Sequence, residues 1–242
     1  MSAAVRGTMF GLLLIFFILT ASNSILNAAP VKDDVCSKPM DIAFIMDVSG
    51  SIGRKGLKTM KGYAKMIVDH FGMSDQGNHY AIMTFAKDPR ILVDFNTFTG
   101  STAKSANLKF KIHQMHRIDW NGGSFIDKAL LAANSTLFTV GAGMRQNALK
   151  AAIIMTDGIQ TKHRGPFTSP YKAARGLQTK GVQLIAAGIG TAVDVIELMD
   201  ITGKMENVFS VGRLPEPANL ELIARTLCSK PTAVPTTSTP LK

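Results

Sequence analysis

Between residues 41 and 227, short apolar runs alternate with stretches of helical periodicity, and that alternation leaves few folds open. An apolar strand followed by an amphipathic helix returns the chain to the same edge of a sheet. Repeated, the unit builds a mostly parallel sheet with helices on both faces. Residues 41–47 (DIAFIMD) form one such run and end in an acid, as a buried central strand would. Met60, Tyr63, Ala64, Ile67, Val68 and Phe71 then recur at helical spacing along one face. Residues 80–86 and 91–95 read as a strand pair turned by Asp88-Pro89, giving the sheet one antiparallel edge strand. Helices are predicted over 103–117 and 125–138, a second buried strand over 148–156, and a helix and strand over 171–180 and 182–189. A short helix over 193–201, an edge strand over 207–211 and a closing helix over 217–227 complete an α/β open sheet.

The ends of the chain carry different signals. Arg6 precedes an unbroken apolar run over residues 9–19, with small and polar residues after it. That run is short for a bilayer span and reads as a signal peptide over 1–24, cleaved somewhere between residues 22 and 30. Export in turn suggests that the two cysteines, Cys36 and Cys228, form one disulfide stapling the ends of a domain over 36–228. Residues 229–242 are rich in Ser, Thr and Pro and read as a flexible tail. The formal net charge of +10 favours acidic partners such as sulfated glycans, acidic proteins or anionic surfaces. Nucleic acid is not expected outside the cell, nor is a membrane span after signal cleavage. One domain with one internal bridge points to a monomer.

In open α/β sheets ligands bind beyond the carboxyl ends of the strands. Three such ends carry oxygen-rich loops here. Asp47, Ser49 and Ser51 alternate directly after the first strand, with Gly50 allowing a tight turn. Asn121-Gly122-Gly123-Ser124 opens the third helix, and Thr156-Asp157-Gly158 closes the second buried strand. Together they offer three hydroxyls and two carboxylates, a donor set for a hard cation. No His or Cys lies in these motifs, which argues against zinc.

These three motifs, in this order, resemble the von Willebrand factor type A (vWA) family of extracellular matrix and adhesion proteins, the matrilin-, collagen- and integrin-I-domain-like members. The family's metal-ion-dependent adhesion site comprises D-x-S-x-S, a distant Thr and a later Asp in a T-D-G turn. Asp47, Ser49 and Ser51 match the first part, Ser124 takes the threonine's place, and Asp157 matches the last. Ile126 and Asp127 stand where a second Thr and a Gly are common. The resemblance implies a Rossmann-like vWA fold with Mg²⁺ or Mn²⁺ at these five residues. Ser49, Ser51 and Ser124 would touch the ion, with Asp47 and Asp157 around it or acting through water. A partner's Glu or Asp would take a remaining coordination position. The implied function is that of a secreted adhesion or matrix protein. Its partner would be a matrix protein such as collagen, or an acidic glycan.

Lesser signals surround this site. Lys162-His163-Arg164 follows the T-D-G turn and would add positive charge on the same face. Trp120 could contact a partner, although packing is the plainer role for a lone tryptophan. Asn134-Ser135-Thr136 is a glycosylation sequon. The rival reading is a basic polyanion-binding or scaffold protein that needs no metal. A hydrolase is the least favoured, because Ser49 lies in no nucleophile elbow and no His is placed as its base.

Overall fold

The computed structural model describes residues 38–116, 118–162, 165–211 and 217–228. The signal peptide expected over 1–24, Cys36, His163, Arg164 and the tail over 229–242 lie outside the described residues.

One six-stranded sheet organises the chain. β1 (Met40–Asp47) runs parallel to β2 (His79–Phe85) on one side and to β4 (Leu149–Thr156) on the other. β5 (Val182–Ile189) and β6 (Val208–Val211) continue it in parallel, while β3 (Arg90–Val93) lies antiparallel to β2 at the opposite edge. The order is β3-β2-β1-β4-β5-β6, with the single antiparallel strand at an edge, as the sequence predicts.

Every residue of β1 is buried, which explains why it reads as a near-continuous apolar run. Alternate side chains feed two cores. Ile42, Phe44 and Met46 pack with α1 (Gly53–Phe71), α2 (Ser105–Gln114) and α6 (Pro217–Cys228). Ala43 and Ile45 pack with α3 (Ile126–Ala132), α4 (Pro170–Thr179) and α5 (Val195–Thr202). α1 buries Leu57, Met60, Tyr63, Ala64, Ile67 and Val68, the face its spacing predicts. Burying each larger side chain of that stripe contributes roughly 1.5–3 kcal/mol.

Three expected boundaries move. α2 stops at Gln114, where Met115 turns extended and Lys61 Nζ caps the His113 and Met115 carbonyls at 2.7 and 2.6 Å. The helix predicted over 125–138 ends at Ala132 and gives way to a wider turn over Ala133–Leu137, closed by Phe138 N donating to Ala133 O at 2.8 Å. That turn lets Phe138 meet Phe95 at 5.5 Å between ring centroids. The β2–β3 pairing slips by a residue between Ile82 and Met83, which shortens β3 to four residues.

The chain runs outward from β1 through β2 to β3, then returns to lay β4 on the other side of β1. The switch point, where a crevice opens at the carboxyl ends, therefore lies between β1 and β4.

Candidate metal centre

β1 and β4 end side by side, with Met46 in register with Met155. One residue further on, Thr156 Oγ1 donates to Asp47 Oδ2 at 2.7 Å. Ser124, just before α3, donates its hydroxyl to the same oxygen, also at 2.7 Å. Asp47 Oδ1 accepts from the Ser49 backbone N–H at 2.8 Å, curling the loop so that the Ser49 and Ser51 hydroxyls lie 3.1 Å apart. One fully buried carboxylate thus gathers all three oxygen-rich stretches.

Burial pushes the Asp47 carboxyl above its ordinary range, while hydrogen bonds from Ser49, Ser124 and Thr156 pull it back. The ion pairs among the described residues do not include Asp47. A buried carboxylate held only by neutral donors calls for a nearby positive charge. Asp157 is also buried, its Oδ1 accepting from Ile159 N at 3.1 Å. Its backbone carbonyl holds Asp194 N, at the start of α5, at 2.8 Å.

In front of the Asp47 carboxylate opens a cleft of about 580 Å³, lined by Ser49, Ser51 and Ser124 with Thr161, Trp120 and Ile159 among its other walls. Asp47, bonded to Ser49 and Ser124, stands behind the serine layer, and Asp157 is buried next to Thr156 in the chain. Two glycines make the arrangement possible. A Cβ on Gly50 would come within 2.7 Å of the Trp120 carbonyl, so the serine loop reaches the 119–121 segment only without a side chain. Gly123 sits at φ +66°, and a Cβ there would lie 2.9 Å from Thr161 Oγ1, the group that accepts from Ser124 N at 3.0 Å.

Four of the predicted site residues, Asp47, Ser49, Ser51 and Ser124, therefore meet at one place, and Asp157 follows Thr156, which donates to Asp47. Among the described residues, no group of three or more His, Cys, Asp or Glu is placed to hold a metal ion. The donor set here is mostly neutral hydroxyl, which fits a hard, oxygen-seeking cation. Trp120 is 59% exposed on the cleft rim, not packed inside. Lys162 is exposed, with its Nζ 4.0 Å from Glu197 Oε1. Cys228 ends α6 in a buried position. Asn134 is half-buried: its amide lies against Gly176 of α4, and its buried Oδ1 has no hydrogen-bond partner among the described residues.

Several participants escaped the sequence reading. Thr156 was legible as part of a turn but not as a donor to Asp47. Asp127, a departure from the common pattern, is buried and committed to Gln160 and Thr168, so it braces the site from outside. Ile126 beside it is fully buried in the core. No local signal announces these pairings, because their partners lie 33 to 109 residues away.

Comparison with known proteins agrees with this geometry. The model of the von Willebrand factor type A domain family matches residues 41–222. A mouse collagen alpha-5(VI) chain is 30% identical over 193 residues, covering 78% of this chain and 7% of that one. Mouse matrilin-3 is 28% identical over 182 residues, covering 73% and 35%. This chain thus spans well under half of these relatives. Among solved structures, proximal thread matrix protein 1 of the mussel byssus, with a zinc-occupied adhesion-site motif, superposes with TM-score 0.67 at 27% identity, covering 80% of this chain and 46% of that one. Manganese-loaded TRAP protein of Plasmodium vivax shares the fold, with TM-score 0.65 at 17% identity, covering 79% and 74%.

Proposed function

Because this chain belongs to the von Willebrand factor type A domain family, we propose that it is a secreted adhesion or matrix protein that binds an acidic group of an extracellular partner through a divalent cation. The reading rests above all on one observation. Three serine residues line a cleft in front of a buried carboxylate whose hydrogen-bond donors among the described residues are all neutral.

Ser49, Ser51 and Ser124 would hold the cation, with Asp47 and Asp157 balancing its charge from behind. When bound, the ion supplies a positive coordination position for a partner's Glu or Asp carboxylate. Neutral hydroxyls leave much of that charge unquenched, which keeps the position attractive to an anion. Ser124 and Thr156 hold Asp47 in one orientation, and Asp47 in turn holds Ser49. Trp120 and Ile159, both at least half exposed on the cleft, supply an apolar rim for the residues flanking that carboxylate. Lys162, with His163 and Arg164 beside it in sequence, adds positive charge on the approach.

Mg²⁺ or Mn²⁺ is the cation the donors favour. The mussel protein's zinc-occupied motif weakens the argument that missing His and Cys exclude zinc. Among the described residues no helix is long and apolar enough to cross a membrane. The signal peptide over 1–24, a Cys36–Cys228 bridge and the tail over 229–242 belong to this proposal, as do a monomeric state and a binding role without catalysis. Collagen and matrilin relatives support a matrix protein, collagen included, as the partner class.

Binding to immobilised matrix proteins, measured in Mg²⁺ and then in EDTA, tests the reading. Chelation should reduce binding at least about tenfold, while moderate salt changes it little. The metal-independent polyanion reading, motivated by the net charge of +10, requires the reverse: indifference to EDTA and steep loss with salt.

A further inference from the structure

A second cleft, of about 300 Å³, opens on the α2 side of the sheet beside the β2–β3 edge. Its walls include Val48, Leu92 and Met115, and its polar lining includes Thr84, Arg90 and Lys111. None of these residues belongs to the cation site.

The cleft follows from a break in a pattern. Tyr80 and Ile82 of β2 point into the core shared with α1 and α2, and Thr84 is next on that face. Instead of another apolar side chain, a hydroxyl stands there. Thr84 is only 8% exposed, its side chain lines the cleft, and among the described residues its hydroxyl makes no hydrogen bond within the protein. The cleft therefore presents a hydroxyl without a protein partner to any ligand that enters it. Arg90 is its cross-strand neighbour in register. The side chains of Arg90 and Lys111 make no ion pair among the described residues. α2 ends at this cleft, and its carboxyl end would normally repel an anion. Lys61 Nζ, bonded to the His113 and Met115 carbonyls, offsets that negative end.

We infer that this cleft binds a small amphiphilic carboxylate. Arg90 and Lys111 face the charged head, the Thr84 hydroxyl donates to it, and Val48, Leu92 and Met115 hold the apolar body. The volume is at the low end for small-molecule sites and matches a ligand with one ring and a short acid chain. Met115 suits a ring, since thioethers pack well against aromatic edges.

Val48 lies between Asp47 and Ser49, so a carboxylate on the cation must be distinguished from one in the cleft. Titration of the full chain with 4-phenylbutyrate in EDTA, followed by calorimetry and by backbone amide shifts, does so. Saturable binding should persist in EDTA, with shifts at Thr84, Arg90 and Leu92. The neutral 4-phenylbutyramide should bind at least about tenfold more weakly, and Arg90→Ala or Lys111→Ala should each weaken the acid about tenfold. Thr84→Val keeps the side-chain shape and should weaken it several-fold. Equal affinity for acid and amide would overturn the inference. So would loss of binding in EDTA, absence of saturable binding, or folded variants that bind like the parent chain.

Discussion

Asp127 and Gln160 hold each other through two hydrogen bonds: Asp127 N donates to Gln160 Oε1 at 3.1 Å, and Gln160 Nε2 donates to Asp127 Oδ1 at 2.9 Å. Both residues are buried, and Asp127 Oδ2 also accepts from Thr168 N at 3.0 Å. The pair ties the first turn of α3, where a carboxylate is favoured, to the loop that follows Asp157. Gln160→Ala leaves a buried carboxyl short of a donor and should cost about 1–3 kcal/mol. Gln160→Glu sets two carboxyls face to face and should cost more at neutral pH. Urea unfolding reads both. A Gln160→Glu chain as stable as the parent would break the argument.

Ser124 carries two tasks, donating to Asp47 and facing the cleft. Ser124→Ala removes both and should lower cation-dependent binding at least about tenfold, while costing only about 1 kcal/mol of metal-free stability. Ser124→Thr keeps the hydroxyl and restores the residue common in the family, so it should retain binding. Affinities of the two variants in Mg²⁺, measured side by side, check this. Equal loss in both would mean that the hydroxyl is not the relevant group.

β1 holds two buried aspartates with opposite roles. At its start, Asp41 accepts from Arg145 N at 2.7 Å and from Arg145 Nε at 2.8 Å, a paired charge that fastens the strand. Asp41→Ala strands a partly buried arginine and should cost about 3–5 kcal/mol. At its end, Asp47 is a charge held by neutral groups. Asp47→Asn removes the cost of burying that charge, so metal-free stability should hold or rise, while cation-dependent binding disappears. Unfolding curves in EDTA separate the two. A large metal-free loss in Asp47→Asn would recast it as a structural residue.

Cation binding should stabilise the folded chain by mass action. At a concentration one hundred times the dissociation constant the gain is about 2.7 kcal/mol. For a chain of this size that corresponds to a rise in Tm of roughly 5–10 °C. Scanning calorimetry with Mn²⁺, Mg²⁺ and EDTA measures it. The increment should vanish in Asp47→Asn, and an equal increment in that variant would place the ion elsewhere.

Much of this architecture is legible because it is periodic. Met60, Tyr63, Ala64, Ile67 and Val68 announce α1 by spacing alone, and the apolar run ending at Asp47 announces a central strand. The place of the cleft is legible because its oxygen-rich stretches sit at the ends of strands or the start of a helix, where the parallel topology must open a crevice. Interactions without a period are not legible. Thr156 reaches Asp47 across 109 residues, and Asp127 finds Gln160 across 33. The wider turn at Ala133–Leu137 follows from packing Phe138 on Phe95, which helix propensity does not register. Trp120 reads as a packing residue, yet its side chain is exposed on the rim of the cleft.

The most direct test of the central claim is anomalous diffraction from crystals of the protein grown in manganese. One manganese peak should lie in the cleft within bonding distance of the Ser49, Ser51 and Ser124 hydroxyls, and it should be missing from Asp47→Asn crystals grown the same way. A cleft without manganese, or a peak bound by other residues, would contradict the account.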